Sequence, residues 1–239
     1  MRWKHPAVCP GLQLLNQMSR VPQPIGNRGS LKWIQLAIND HPTVLDRVIL
    51  PRLDGADPIH WKSPLRSDGF AEYRDVDFLN VLGLGHLSDA LKNFWPTRGP
   101  QWDALGMRQS GDMLLIEAKA HLPEICSPPT QASEDSLAVI EKALSETASA
   151  MGAKPLAPWT DVFYQLANRH AHLHFLRSNG VSAWLVLVNF IGDADMKGPS
   201  HPAEWEAAYL VVLHVMGIKS DAPLMRFVLH ACPDVKDLS

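Results

Sequence analysis

Apolar and polar residues follow two periods along this chain, one typical of amphipathic helices and the other typical of strands. Apolar residues at helical spacing predict six helices, over residues 31–39, 43–50, 70–82, 133–151, 161–177 and 200–216. Apolar runs between turn residues predict a two-stranded hairpin within 99–121 and further strands over 181–191 and 225–232. Prolines and glycine indicate a loop over 51–64.

The order of these elements predicts an α/β fold. We expect a mixed central sheet flanked by helices, with the first two helices as a helical N-terminal elaboration of the core. The connection from the hairpin to the strand at 181–191 should be a right-handed crossover. Residues 1–29 contain several prolines and little periodicity, which predicts an N-terminal arm, and residues 30–239 predict a single domain.

The second strand of the hairpin ends in Glu117-Ala118-Lys119, directly after an apolar run. Successive side chains of a strand point to opposite faces, so Glu117 and Lys119 share one face while Ala118 lies on the other. An acid and a base therefore stand together beside the predicted core. The alternative interpretation is an exposed ion pair at a strand end, because such pairs are common on protein surfaces.

The geometry of the turn around Ser110 and Gly111 decides whether Asp103 joins this pair. A three-residue loop centred on Ser110 sets Asp103 opposite Glu117. A five-residue loop centred on Gly111 sets Asp103 nearly opposite Lys119. A two-residue loop would turn Asp103 to the other face of the sheet.

If these side chains converge, they form a site for metal-dependent hydrolysis of phosphodiester bonds. Asp103 and Glu117 supply the oxygen ligands that Mg²⁺ or Mn²⁺ prefers, and the Ala118 carbonyl is within reach as another ligand. Lys119 beside the metal can orient or deprotonate the attacking water. Asp103, Glu117 and Lys119 are therefore the candidate catalytic residues.

An aspartate that enters one strand, a hairpin, and an apolar strand that closes in E-x-K resemble the PD-(D/E)XK nuclease superfamily. The first half is carried by residues 99–103, where Pro100 stands three positions before Asp103, and the second half by residues 115–119. The resemblance implies a restriction-endonuclease-like core and a magnesium-dependent nuclease. It also implies a strand ahead of the aspartate strand, for which we consider residues 94–101.

The same resemblance extends the candidate site to two helices. Glu72, on the helix predicted ahead of the hairpin, is a candidate further metal ligand, although a helix N-terminus also favours an acid for its dipole. One branch of the superfamily has Q-x-x-x-Y on the helix after E-x-K, and here Gln165 is followed by Arg169 in place of the tyrosine. Gln165 and Arg169 are candidate phosphate contacts, and a solvated polar stripe is the alternative.

Net charge and composition bear on which kind of molecule this protein binds. The formal net charge is -3 and charged residues make up 20% of the chain, so no overall basic field attracts nucleic acid. A non-catalytic nucleic-acid-binding or scaffold module with the nuclease fold is therefore the second hypothesis. As partners we expect nucleic acid, with DNA favoured over RNA, and no membrane, and we leave a homodimer open.

Cysteines and histidines predict no further metal site. Cys9, Cys126 and Cys232 are far apart in sequence and form no C-x-x-C pair, which indicates reduced thiols and a cytoplasmic protein. On the helix predicted over 161–177, His170 and His174 share the apolar side and His172 faces away. Because a third ligand is lacking, we expect these histidines to pack rather than to bind zinc.

Overall fold

The computed structural model describes residues 19–55 and 57–238. In chain order their strands and α-helices are β1 (Arg20–Val21), α1 (Gly29–Asn39), α2 (Pro42–Ile49), β2 (His60–Ser63), β3 (Glu72–Tyr73), α3 (Asp75–Val81), α4 (Ser88–Phe94), β4 (Ala104–Met107), β5 (Met113–Lys119), α5 (Glu134–Met151), α6 (Tyr164–Ser178), β6 (Ala183–Asn189), α7 (Pro202–Val215) and β7 (Val228–Ala231). Short 3₁₀ helices cover Leu50–Arg52, Arg66–Asp68, Gly85–Leu87, Leu122–Ile125, Met225–Phe227 and Val235–Leu238.

Five of these strands form one mixed sheet in the order β2-β4-β5-β6-β7. The pairs β2–β4 and β4–β5 are antiparallel, whereas β5–β6 and β6–β7 are parallel. Parallel neighbours need a long connection, which α5 and α6 supply between β5 and β6, and α7 supplies between β6 and β7.

Both faces of the sheet are buried, which explains the nearly continuous apolar runs of β5 and β6. Helices α3 to α7 pack against one face, where Leu115 and Leu185 belong to the larger core cluster. Helices α1 and α2 pack against the other face, with Ile116 and Val186. The predicted α/β class, with a mixed central sheet flanked by helices, is confirmed.

The hairpin of β4 and β5 has the register that a loop centred on Ser110 predicts. Ala104 pairs with Ile116, so the next position outward sets Asp103 opposite Glu117. The carboxylate that precedes β4 and the one near the end of β5 therefore meet at the same end of the sheet.

The predicted helix over residues 70–82 is wrong in its first part. Glu72–Tyr73 forms β3, which pairs with β1 in a separate two-stranded sheet, and α3 begins only at Asp75. Glu72 is thus a strand residue rather than a helix residue. Backbone pairing with a segment distant in sequence outweighs the local helical periodicity at this point.

The loop predicted over 51–64 contains a strand of the main sheet. Strand β2 pairs with β4 at the edge of the sheet, so it is the strand ahead of Asp103 for which we considered residues 94–101. That segment instead continues from the end of α4. Four residues are too short for a period to be recognised in the sequence, and the pairing depends on β4. Of the predicted arm, residues 1–18 lie outside the described residues.

Candidate active site

Two neighbouring strands and one helix bring the candidate residues to one end of the sheet. Asp103 lies just before β4 and is half-buried. Its Oδ2 atom accepts a hydrogen bond of 2.6 Å from the backbone N–H of Ala118, which ties the start of β4 to β5. The Ala118 side chain is buried on the opposite face of the sheet, as the strand period predicts.

Lys119 lies between a carboxylate and an amide. Its amine donates to Glu117 Oε1 and, over 3.0 Å, to Gln165 Oε1 on α6. The side chains of Lys119 and Glu117 are only 10% and 3% exposed. The alternative of an exposed surface ion pair is therefore wrong for Glu117 and Lys119.

Arg169 forms the second ion pair with Glu117. Its Nε donates to Glu117 Oε2 over 2.5 Å, and its Nη2 donates to the Gln101 carbonyl over 2.8 Å. The guanidinium also lies 4.8 Å from the centre of the Trp102 ring, and Nη1 donates to Asn168. Both carboxylate oxygens of Glu117 are thus bound by a cation within the protein.

The pairing of Arg169 with Glu117 is a feature that the sequence analysis missed. The signal was the polar stripe on an otherwise apolar helix, which we assigned to phosphate or solvent. Gln165 and Arg169 are one helical turn apart and so share a face of α6. The structure directs that face at the end of β5 rather than at solvent.

Glu72 approaches the same site from β3. Its Oε2 accepts hydrogen bonds from the side-chain amides of Gln101 and, over 3.1 Å, Gln23. Gln101 therefore links Glu72 to Arg169, because its side-chain amide donates to Glu72 and its backbone carbonyl accepts from Arg169. Nothing in the sequence pattern singled out Gln23 or Gln101.

Burial and mutual repulsion determine how these groups ionise. Burial raises the pKa of Asp103 well above its usual value, and the charges of Glu117 and Glu72 raise it further. Burial also raises the pKa of Glu72 to about 7. For Glu117, burial opposes ionisation, but Arg169 and Lys119 outweigh it and the pKa is lowered. For Lys119, the neighbouring carboxylates outweigh burial and the pKa is raised.

A cleft of about 540 Å³ opens beside this network. Its walls are formed by residues 99–101 and 126–131. Its lining includes four of the predicted site residues: Glu72, Asp103, Gln165 and Arg169. Glu117 and Lys119 instead line a narrow adjoining space of about 10 Å³, which also contacts Gln165. The ion network therefore borders the cleft through Arg169, and Asp103 and Glu72 face the same cleft.

The described residues contain no group of three or more histidine, cysteine, aspartate or glutamate side chains arranged to hold a metal ion. At the candidate site, both oxygens of Glu117 are instead bound by Lys119 and Arg169. A cation could reach Glu117 only if one of these two side chains moved away.

The histidines of α6 pack as expected, although His172 does not face away from the core. His170 and His172 are both 1% exposed. In each of the two, the Nδ1–H group donates to the backbone carbonyl one helical turn earlier, over 2.9 Å. His172 lies among aromatic rings, with the Trp95 ring centre at 4.9 Å. Burial lowers the pKa of His170 to about 4 and that of His172 to about 3.

Comparisons of the chain with protein-family models, with curated proteins and with solved structures give no match. Of the helices in the described part of the chain, none combines the length and the apolar character needed to cross a membrane. Function has to be argued from the chemistry of the site itself.

Proposed function

We propose that this protein is a metal-dependent phosphodiesterase that hydrolyses nucleic acid, with DNA favoured over RNA. The observation that carries the proposal is the grouping of Asp103, Glu117 and Lys119 at one end of the sheet, beside a cleft. An acid from each of two paired strands and a lysine two residues after one of them is the arrangement that the nuclease resemblance requires.

The electrostatics of the site support a divalent cation. Three carboxylates lie close enough to perturb one another, since Glu117 and Glu72 both raise the pKa of Asp103. Mg²⁺ or Mn²⁺ would be held by Asp103 and Glu117, with Glu72 and the Ala118 carbonyl as further ligands. Such an ion supplies Lewis-acid activation of water and of the phosphate. Since Lys119 keeps its place beside the attacking water, Arg169 is the side chain that would leave Glu117 for this ion to bind.

The pKa of Lys119 refines its role. Because the pKa is raised, the amine stays charged at neutral pH and is a poor general base. Lys119 would therefore orient the attacking water and offset the charge of the phosphate rather than take a proton. Gln165 holds the amine in place through the 3.0 Å hydrogen bond, which makes it a positioning residue for Lys119.

The sheet topology also supports the proposal. An antiparallel hairpin carries the two acids, a strand precedes it at the edge, and a parallel strand follows after helices. This order agrees with the core that the resemblance implies. Topology alone supports a fold rather than a reaction, so the proposal rests on the side chains.

A second candidate function, a nucleic-acid-binding or scaffold module without cleavage, is favoured by one specific observation. Glu117 is completely paired inside the protein, with Lys119 on one oxygen and Arg169 on the other. A buried network of this kind can hold β5 against α6 without any metal. In that case Lys119 has no catalytic task.

A cleavage assay distinguishes the two candidates. Single- and double-stranded DNA and RNA are incubated with Mg²⁺ or Mn²⁺ and with the native chain, Lys119→Ala, Glu117→Gln or Lys142→Ala. Lys142 is the matched control, because it is on α5 with a side chain that is 76% exposed. We expect native and Lys142→Ala proteins to cleave equally, and both site variants to lose about a hundredfold or more of the rate.

Measurements of Mn²⁺ binding and of nucleic-acid binding by the variants complete the test. Lys119→Ala should still bind Mn²⁺ by calorimetry, since the amine is no ligand. Cleavage that survives in both site variants would place the reaction elsewhere in the chain. If the native protein cleaves no substrate, the second candidate holds, and Lys119→Ala should then only weaken nucleic-acid binding and its salt dependence.

A further inference from the structure

Helix α7 is apolar on nearly every side. Its inner side buries Trp205, Tyr209 and Val212 against the sheet. On its outer side Leu210 and Val211 are 68% and 63% exposed. A helix that is apolar all round is typical of a buried element, whereas a surface helix has a polar outer face.

The exposed apolar surface extends beyond these two side chains. At helical spacing, Ala203, Ala207 and His214 lie on the same outer side and are also exposed. We call this set, Ala203, Ala207, Leu210, Val211 and His214, the α7 patch. Leu156 is 67% exposed and lies beside the end of α7, where its N–H donates to the Val215 carbonyl over 2.9 Å.

The clustering of these side chains distinguishes them from ordinary exposed residues. Six large apolar side chains are exposed among the described residues, and three of them are Leu156, Leu210 and Val211. Single exposed apolar residues are normal on a soluble surface, but adjoining ones are typical of an interaction site.

Charged residues of opposite sign lie at the two ends of the α7 patch. Glu206 is exposed near the N-terminal end of α7. Lys219 is exposed just after the C-terminal end, and the exposed Lys154 adjoins it through a hydrogen bond of 2.9 Å from its N–H to the Gly217 carbonyl. The surface is thus acidic at one end and apolar in the middle, and at the other end Lys154 and Lys219 outnumber the exposed Asp221.

We propose that the α7 patch is the interface of a homodimer in which two α7 helices pack antiparallel about a two-fold axis at Leu210 and Val211. A two-fold interface must be self-complementary, because the same surface meets itself. The antiparallel arrangement brings the acidic end of each helix to the basic end of its partner. A partner of a single charge sign would match only one end.

Distances along the helix agree with this arrangement. Glu206 lies four residues before Leu210 and His214 four residues after it, which is about 6 Å in each direction at the helical rise. Glu206 of each protomer therefore comes opposite His214 of the other, and Lys219 follows beyond the end of α7. The small side chains of Ala203 and Ala207 permit the close approach of two helix backbones.

The test is the mass of the full chain in solution, measured by light scattering after size exclusion and by sedimentation velocity over a range of concentrations. We expect twice the chain mass of 26.5 kDa. The double variant Leu210→Glu/Val211→Glu should raise the dimer Kd by about thirtyfold or more, because it places unpaired charges at the centre of the interface. The matched control is Ile25→Glu, at an apolar side chain that is 80% exposed elsewhere.

A charge exchange tests the antiparallel orientation. Glu206→Lys should weaken the dimer, and Glu206→Lys combined with Lys219→Glu should restore it, with circular dichroism confirming that each variant is folded. A native chain that is monomeric at all concentrations would overturn the proposal. So would a dimer that the double variant at Leu210 and Val211 leaves intact, or one that the charge exchange does not restore.

Discussion

Replacing Arg169 by methionine tests whether the buried ion network or a metal ion is the true partner of Glu117. Methionine keeps much of the volume of the arginine side chain but removes its charge. The change leaves Glu117 with Lys119 alone and takes one hydrogen-bond donor from the Gln101 carbonyl. The Arg169 and Glu117 side chains are 4% and 3% exposed, so the charge of Glu117 stays largely shielded from water after the change.

The expected loss follows from this burial. Removing one partner of a buried ion pair typically costs about 3–5 kcal/mol, because it leaves an uncompensated charge. Since Lys119 still binds Glu117, we expect a loss near the lower value, about 3 kcal/mol. For a chain of this size, that corresponds to a fall in Tm of about 6–12 °C.

The assay is urea unfolding in EDTA, followed by tryptophan fluorescence and extrapolated linearly to water. Arg47→Met is the matched control, because the Arg47–Asp237 pair is 64% and 51% exposed and contributes at most about 1 kcal/mol. A loss below about 1 kcal/mol for Arg169→Met would refute the energetic importance of the network.

A second arm of the same experiment adds Mg²⁺. If the ion takes the place of Arg169 at Glu117, the Arg169→Met protein should gain more stability from Mg²⁺ than the native protein does. Equal gains in the two proteins would show that Arg169 and the metal do not compete for Glu117.

Three further predictions concern metal binding by Asp103 and the ionisation of Glu72 and His172. Asp103→Asn should abolish the rise in Tm that millimolar Mg²⁺ gives the native protein. The exposed control Asp195→Asn should keep this rise. An equal rise in the native protein and both variants would contradict a metal site at Asp103. The pKa of Glu72 is raised from 4.5 to about 7. Its protonated form therefore contributes about 3 kcal/mol to the stability of the fold, and this contribution is fully present below pH 4.5. The contribution is lost as the pH rises through 7. Urea unfolding at pH 5 and pH 8 should therefore show a greater loss for the native protein than for Glu72→Gln, and parallel losses would be evidence against a protonated Glu72. The pKa of His172 is lowered from 6.5 to about 3, so its neutral form contributes stability above pH 6.5 that is lost as the pH falls towards 3. His172→Leu should flatten the loss of stability in acid, and an unchanged acid profile would mean that other groups cause it.

The local pattern of apolar and polar residues was sufficient to predict much of the scaffold. The apolar runs of β5 and β6 and the stripe of α5 are long enough for their periods to be recognised, and all three elements lie where they were predicted. The turn around Ser110 also limited the register of the hairpin to a few alternatives. One of these set Asp103 opposite Glu117, and that is the observed register.

The sequence by itself thus determined the α/β class, the hairpin, and the placement of Glu117 and Lys119 on one strand face, because these depend on neighbours a few residues apart. Only the tertiary structure decided that β3 carries Glu72, that β2 forms the edge of the sheet, and that Arg169 binds Glu117. The contacts made by Glu72, β2 and Arg169 join segments about 40 to 50 residues apart. They are stabilised by strand pairing and by ion pairing between buried charges, and neither leaves a period in the sequence.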